Sequence, residues 1–494
     1  MLTRLKVSGF KNLVDVDVRF GAFTCIAGAN GVGKSNLFDA IRFLLATAQM
    51  PLQEAALSLR DGNGKQSDIR NLFHRVGDRY VDKMSFEAEI IIPSEGTNDL
   101  GEKIKATENF FVYSLEISYK KGINHLTNKL EVSYENLAIV ERGYISKYSF
   151  FEKYPILNTD NEVINIIYSN VREKKKGTEI VLYHPINSEY KHEIPFVTRK
   201  FSQTLLSTLK DDYFAYKNYP VLDLLHREMS SWMLLQLEPS PLRKPNEFIA
   251  SNKLGTDGSN LAASFYHLVE ERYQQDVNKN EHKIEDIEAQ VYAQASNRLA
   301  KLIDDVDKVW VDRDDKRELL TLMVRDKQGT VYPASSLSDG TLRFLALTAL
   351  ELDPDSFRLL CLEEPENGIH PNRIRKILQL LQDMAVDLEE PIDFDNPLRQ
   401  VIINTHSPVV VQQVPEDSLL IADLETNVVE GKRFKQACFK YLENTWRDVE
   451  SDEERKYKVI SKGKLLSYLN PVSRQFTNNR VVDRPDLQSL LPGS

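Results

Sequence analysis

The sequence predicts an α/β fold split in two by a large α+β insertion that carries a helical arm. Three observations lead there. Near the start, the short apolar run Thr24-Cys25-Ile26-Ala27 passes through a Gly-rich turn into a strongly helical stretch, Asn36 to Thr47. Far downstream, Leu359 to Leu362 and Val401 to Asn404 are short uninterrupted apolar runs, as expected of strands buried on both faces of a parallel sheet. In between, Tyr- and Phe-rich strand-like runs alternate with Lys-rich turns and then give way to a long helical segment.

Each element has its own reason. Leu5 and Val7, then Val14, Val16, Val18 and Phe20, alternate with polar residues as half-buried strands do. In the first helix Leu37, Ile41, Leu44 and Leu45 share one face, and Met84 to Pro93 alternates again as a strand. These segments make residues 1–95 the first lobe. Residues 96–310 form the insertion, with strands at Phe110 to Tyr119 and Lys129 to Tyr134, then helix from Ala262 to Val306. There Val277, Ile284, Ile287, Val291, Ala295, Leu299 and Leu302 recur at three-, four- and seven-residue steps. A long coiled coil needs heptads sustained well beyond this, so the pattern predicts a helical hairpin or arm of modest length. Residues 311–415 return to α/β character, with a buried helix at Leu345 to Leu350. Residues 416–494 read as a helical, charged extension whose acidic run Asp448 to Glu454 is a solvated face.

Composition narrows the class. The 494 residues suffice for roughly two to four structural units at ~100–200 residues each. With 63 basic and 73 acidic residues the net charge is −10, which argues against a generic nucleic-acid coat. Cys25, Cys361 and Cys438 are too few and too widely spaced for a disulfide framework or a zinc site, and fit a reducing cytoplasm. The opening MLTRLKVSGFKNL has no apolar signal-peptide core, and no stretch approaches ~18 uninterrupted apolar residues. A cytoplasmic protein with no membrane span is expected.

The chemistry begins at Gly28-Ala29-Asn30-Gly31-Val32-Gly33-Lys34-Ser35, a complete G-x-x-x-x-G-K-S between a strand and a helix, with Asn36 next in line. Glycines let backbone N–H groups curl around a β-phosphate, and the helix N-terminus adds partial positive charge. Lys34 is expected on the β/γ-phosphates and the Ser35 hydroxyl on Mg²⁺. A nucleoside triphosphate is the predicted ligand. Such a loop needs an acidic partner, and the apolar strand Leu359 to Leu362 runs into Glu363 and Glu364. Successive strand residues point to opposite sides, so the two acids need not share a task. Glu363 is assigned to Mg²⁺ and its water shell, and Glu364 to polarising the attacking water. His406 follows the strand Val401 to Asn404, at the strand end where open α/β sheets place ligands, within reach of a γ-phosphate or the water. Ser336-Leu337-Ser338-Asp339-Gly340-Thr341 precedes a helix and makes a second anion cradle, or a plain helix cap. One nucleotide needs one cradle, so Ser338 and Gly340 are expected to cover ATP held by another copy of the chain, in a homodimer or larger homo-oligomer.

In this order the motifs resemble the ATP-binding-cassette (ABC) ATPases, in the branch that includes the SMC, RecF and OLD-type proteins. Residues 28 to 41 look like that branch's extended Walker A, Leu337 to Thr341 resembles the signature motif, and His406 matches the switch histidine. Glu363-Glu364-Pro365-Glu366-Asn367-Gly368-Ile369-His370-Pro371 resembles the Walker B and D-loop of OLD-like ATPases. Gly9-Phe10-Lys11-Asn12 is similar to the strand-turn where the branch places a basic residue, here Lys11, near the nucleotide. The resemblance covers about 1–95 and 310–415. It implies an ABC-type P-loop ATPase head using ATP and Mg²⁺. Glu363 stands where many cassette ATPases have aspartate, and Gln49, Gln53 and Gln66 are all open as the Q-loop residue.

A transporter cassette is disfavoured because no span exists, and the insertion is too short for SMC arms. Only 88 residues follow His406, too few for the Toprim nuclease of OLD proteins. The resemblance therefore implies a stand-alone ATPase like those of Septu-type or retron-associated antiphage modules, which control a separate effector, often a nuclease. A RecF-like repair ATPase is the alternative, with Arg172-Glu173-Lys174-Lys175-Lys176 and Arg199-Lys200 able to meet DNA phosphates. A third is a scaffold whose nucleotide only joins subunits.

Overall fold

The computed structural model describes residues 1–59, 68–97, 103–106, 109–122, 128–139, 202–208, 220–277, 283–393, 395–429, 431–449, 459–461, 463 and 465, and the backbone of a strand pair at 169–174 and 177–182. Strands β1 (Leu2–Phe10) and β2 (Leu13–Arg19) form an antiparallel hairpin in which Val7 pairs with Val16 and Leu5 with Val18. Strand β3 (Phe23–Ala27) leaves for a second sheet, and helix α1 (Lys34–Gln49) follows it. Strands β4 (Lys83–Ile91), β5 (Phe110–Lys120) and β6 (Lys129–Ile139) return to the first sheet, in the order β6-β5-β4-β1-β2.

The second sheet carries the site. Its order runs from β7 (Trp232–Leu235) through β10 (Leu359–Glu363), β11 (Gln400–Thr405) and β3 to β12 (Leu419–Val429), all parallel. Strand β13 (Lys432–Leu442) then pairs antiparallel with β12, and β14 (Val459–Ile460) lies parallel beside it. A smaller sheet contains β8 (Val306–Asp314) and β9 (Leu319–Asp326). It packs with helices α2 (Leu261–Val277), α3 (Ile284–Leu302) and α4 (Asp339–Leu352), while α5 (Pro371–Asp383) follows β10.

The parallel strands are apolar throughout because they feed two cores at once. Ile26, Cys361 and Ile402 point into the core shared with α1, where Leu37, Ile41 and Leu44 are buried. Cys25, Ala27, Leu360, Leu362, Val401 and Ile403 point into the opposite core, with α4 and α5. Each such leucine, isoleucine or valine stabilises the fold by about 1.5–3 kcal/mol relative to exposure. Among the described residues no helix is long and apolar enough to cross a membrane.

The chain is thus an α/β protein, and several boundaries differ from those the sequence predicts. The cut at 95/96 passes through one sheet, because β5 and β6 extend the antiparallel sheet begun by β1. Within 96–310, β7 belongs to the parallel sheet. The predicted helices form as α2 and α3, but Ile287, Val291, Ala295, Leu299 and Leu302 are buried in the main core, so the hairpin lies on the body. The described residues after 416 are mostly strand: Leu420 and Ala422 enter one core and Leu419 and Ile421 the other, so β12 is held on both faces beside β3. Most of the acidic run 448–454, Arg199-Lys200 and the side chains of 172–176 lie outside the described residues.

Candidate functional site

The Gly-rich loop leaves β3 at the C-terminal edge of the parallel sheet, where Gly28 N–H donates to the carbonyl of Thr405 on β11 (3.2 Å). Gly33 has φ +114°, and a Cβ there would lie 2.7 Å from Ala437 Cβ and 2.8 Å from Asn12 Nδ2. Glycine is therefore required both by conformation and by space. Helix α1 starts immediately after, with no acidic residue in its first turn and no side-chain cap, so its N–H groups are available to an anion. The β1–β2 turn braces the loop: Asn12 donates to Val32 O (3.4 Å) and accepts from Asn36 Nδ2 (2.7 Å).

Lys34 is only 6% exposed, and its Nζ donates to Gly28 O (2.7 Å) and Ala29 O (2.8 Å). Burial pushes its pKa down, opposed by the negative charges of Glu364, Glu366 and Glu363. Ser35 is exposed in the first turn of α1. Lys11 occupies the β1–β2 turn and lines a cleft of about 250 Å³ with Asn12, His74, Arg75, Tyr80 and Lys435. Its ammonium is paired with Asp39 of α1 at 2.5 Å, so in this structure it holds the helix.

Glu363 ends β10, level with Asn404 of β11, whose Nδ2 donates to Glu363 Oε1 (3.4 Å). Glu364 is the first residue beyond the strand. Its φ of +44° is unusual for a residue with a side chain, and its N–H is held by both Oδ1 (3.2 Å) and the carbonyl (3.0 Å) of Asn404. Such left-handed residues persist where surrounding contacts over-determine them. Glu364 Oε2 accepts from Asn367 Nδ2 (2.6 Å) and Oε1 lies 2.8 Å from His406 Nδ1. Partial burial works against ionisation, but hydrogen bonds from Asn367 and His406 and the charges of His406 and Lys34 outweigh it, so the carboxyl is held below the ordinary glutamate range.

The fold thus brings residues 28–36, Glu363, Glu364 and His406 to one sheet edge. Ser338 and Gly340 have other neighbours: among the described residues no side-chain hydrogen bond links Ser338 to the loop. Ser338 caps α4, accepting from Thr341 N–H (3.3 Å), and Gly340 packs against the 368–369 turn, where a Cβ would lie 2.9 Å from Ile369 Cδ1. Arg243 holds this cap from behind, donating to Leu337 O (2.9 Å) and pairing with Asp339 (2.6 Å).

Two features escape a reading of the sequence. Gln236 lies one residue past the Leu235–Leu362 pair of β7 and β10, level with Glu363, and is exposed. Gln53 instead donates to Asn128 O, and Gln66 is outside the described residues. The signal for Gln236 was a four-residue apolar run, Trp232 to Leu235, within the insertion, too short to identify as a core strand. The second feature is Glu366, whose Oε1 accepts from Thr405 Oγ1 (2.5 Å).

The donor set fits a magnesium–triphosphate. Magnesium prefers hard oxygen ligands and usually takes one or two protein groups plus phosphates and water. Ser35 and Glu363 supply such oxygens, and among the described residues no group of three or more His, Cys, Asp or Glu could hold a metal alone.

A Gly-rich loop at the end of a central parallel strand, faced by an acidic strand end and a histidine, with a distant capped helix start, is the layout of a P-loop ATPase domain. The chain belongs to the AAA ATPase domain family, which it matches over residues 1–411. It is 33% identical over 96 residues to the DNA replication and repair protein RecF of Bacteroides thetaiotaomicron, covering 19% of this chain and 22% of that one. It is 28% identical over 155 residues to the chromosome partition protein Smc of Mesomycoplasma hyorhinis, covering 30% of this chain and 15% of that one. The chain therefore spans less than a quarter of either curated relative. Among solved structures, the SMC head bound to the C-winged helix domain of ScpA aligns at TM-score 0.47 and 13% identity, over 88% of this chain and 97% of that one. The Smc head with an extended coiled coil from Pyrococcus furiosus aligns at TM-score 0.42 and 13% identity, over 88% and 96%.

Proposed function

We propose that this chain binds ATP with Mg²⁺ and hydrolyses it, using two copies to complete each site. The observation that carries this reading is the Glu364–His406 pair at the same sheet edge as the Lys34 loop. In this reading the N–H groups of residues 28–34 hold the phosphates. Lys34 exchanges its bonds to Gly28 O and Ala29 O for the β/γ-phosphate oxygens. Ser35 and Glu363 hold Mg²⁺, which when bound neutralises charge developing on the phosphates. Glu364, kept ionised by its neighbours, orients and polarises the water, and His406, anchored through Nδ1, turns its other edge toward the γ-phosphate. Ser338 and Gly340 of a second copy close the site. A fluorescent-nucleotide titration tests the first step: wild type binds and Lys34→Ala does not, and equal affinities overturn the assignment.

We further propose that this ATPase is the sensor or regulatory subunit of a cytoplasmic antiphage system controlling a separate effector, a nuclease. The support is the Glu363 to Pro371 segment, which resembles OLD-like ATPases. A RecF-like role in DNA repair is favoured instead by the 33% identity to RecF. Phage plating on cells carrying the gene with its genomic neighbours separates the two. Protection lost with Lys34→Ala supports defence, whereas unchanged plating with sensitivity to DNA damage and salt-dependent DNA binding supports repair.

A further inference from the structure

Glu364 and Glu366 stand on either side of the buried Pro365, and both reach the same short turn, Thr405-His406-Ser407. Glu364 holds the ring of His406. Glu366 holds the backbone beneath it: its Oε1 accepts from Thr405 Oγ1 (2.5 Å), which in turn accepts from Ser407 N–H (2.9 Å). The hydroxyl thus bridges the residues before and after His406. The Thr405 carbonyl accepts from Gly28 N–H, so the same residue touches the first glycine of the phosphate loop. Pro365 fixes its own φ, which limits how far the two carboxylates can move apart. Glu366 Oε2 is shut off from solvent and accepts no hydrogen bond among the described residues. Turning a carboxylate oxygen inward in this way is costly, so its partner Thr405 is the contact that gives the placement a purpose.

We infer that Glu366 is a positioning residue, which through the Thr405 hydroxyl pins the turn carrying His406 and so sets the ring against Glu364. This rests on the hydrolytic role proposed above for Glu364 and His406. A carboxylate is suited to the task because it accepts strongly from a hydroxyl that must itself accept from a backbone N–H. The polarised chain Ser407 N–H to Thr405 Oγ1 to Glu366 then has one direction only.

The test uses the full chain with Mg²⁺ and ATP, measuring phosphate release and, separately, fluorescent-nucleotide affinity. Thr405→Val keeps the shape and removes the hydroxyl. It is expected to lower kcat about tenfold while nucleotide affinity stays within about twofold, the size of one lost positioning hydrogen bond. Glu366→Leu is expected to match it, and the pair of substitutions to be no worse than either alone. Thr405→Ser, which restores the hydroxyl, is expected to regain most of the rate. In a His406→Ala background, Thr405→Val is expected to add nothing. An equal loss in that background, or an affinity falling in step with kcat, overturns the inference while leaving hydrolysis itself intact. A wild-type chain that releases no phosphate defeats the hydrolytic reading instead. The placement is then read from the ¹³C–¹H ring signal of His406, assigned with His406→Ala: it moves in Thr405→Val if the turn is pinned, and an unmoved signal overturns the inference.

Discussion

His406 Nδ1 and Glu364 Oε1 lie 2.8 Å apart across the ends of two adjacent parallel strands, although 42 residues separate them in the chain. The pairing holds the carboxylate ionised and fixes which edge of the ring faces outward. Both consequences bear on hydrolysis.

Glu364→Gln keeps the size of the side chain and removes its basicity. Turnover is expected to fall by about 10²–10⁴-fold, the usual contribution of a general base, with nucleotide affinity retained. Phosphate release and nucleotide titration on one preparation check this. Parallel losses would move Glu364 from water activation to binding.

Glu364 also predicts the pH dependence of stability. Its carboxyl titrates below the ordinary value of 4.5, so ionisation favours the folded chain above that value. The contribution is fully present from there upward, and it is lost only as pH falls through the lowered pKa. Thermal midpoints of wild type and Glu364→Gln should therefore converge on the acid side of 4.5, as the carboxyl takes up its proton. A separation that does not shrink there would show that ionisation of this carboxyl does not stabilise the fold.

Gly33→Ala places a methyl within 2.7 Å of Ala437 Cβ at φ +114°. The strain is expected to lower stability by about 1–3 kcal/mol and to displace the loop from Asn12. Thermal unfolding and nucleotide binding should both worsen. Gly31→Ala serves as the comparison, because a Cβ there meets nothing within 4 Å and only the positive φ opposes it.

The composite site is testable by mixing two inactive proteins. Lys34→Ala lacks the phosphate loop lysine, and Gly340→Asp spoils the second cradle. Mixed dimers contain one hybrid site joining an intact loop to an intact cradle, so partial ATPase activity should return. ATP held by both copies also tightens the dimer by linkage, by about 2.7 kcal/mol at 100 times its dissociation constant. If mixed dimers form and remain inactive, Ser338 is only the helix cap it makes within its own chain.

The phosphate loop, the acidic strand end and the histidine were legible in sequence because each is local. A glycine pattern, an apolar run and the residues that terminate it depend on backbone conformation and burial over a few positions. Burial on both faces likewise made β3, β10 and β11 readable as uninterrupted apolar runs. What tertiary structure alone decided is which distant segments share an edge. Gln236 reaches the level of Glu363 only because β7 pairs with β10, and Glu366 gains its hydrogen bond only because β11 brings Thr405 beside it. Strand β12 was hidden in a charged tail because its second face is covered by a core assembled from residues hundreds of positions away. Periodicity reports how a segment is buried, whereas sheet order depends on which apolar faces meet, and no single segment contains that information.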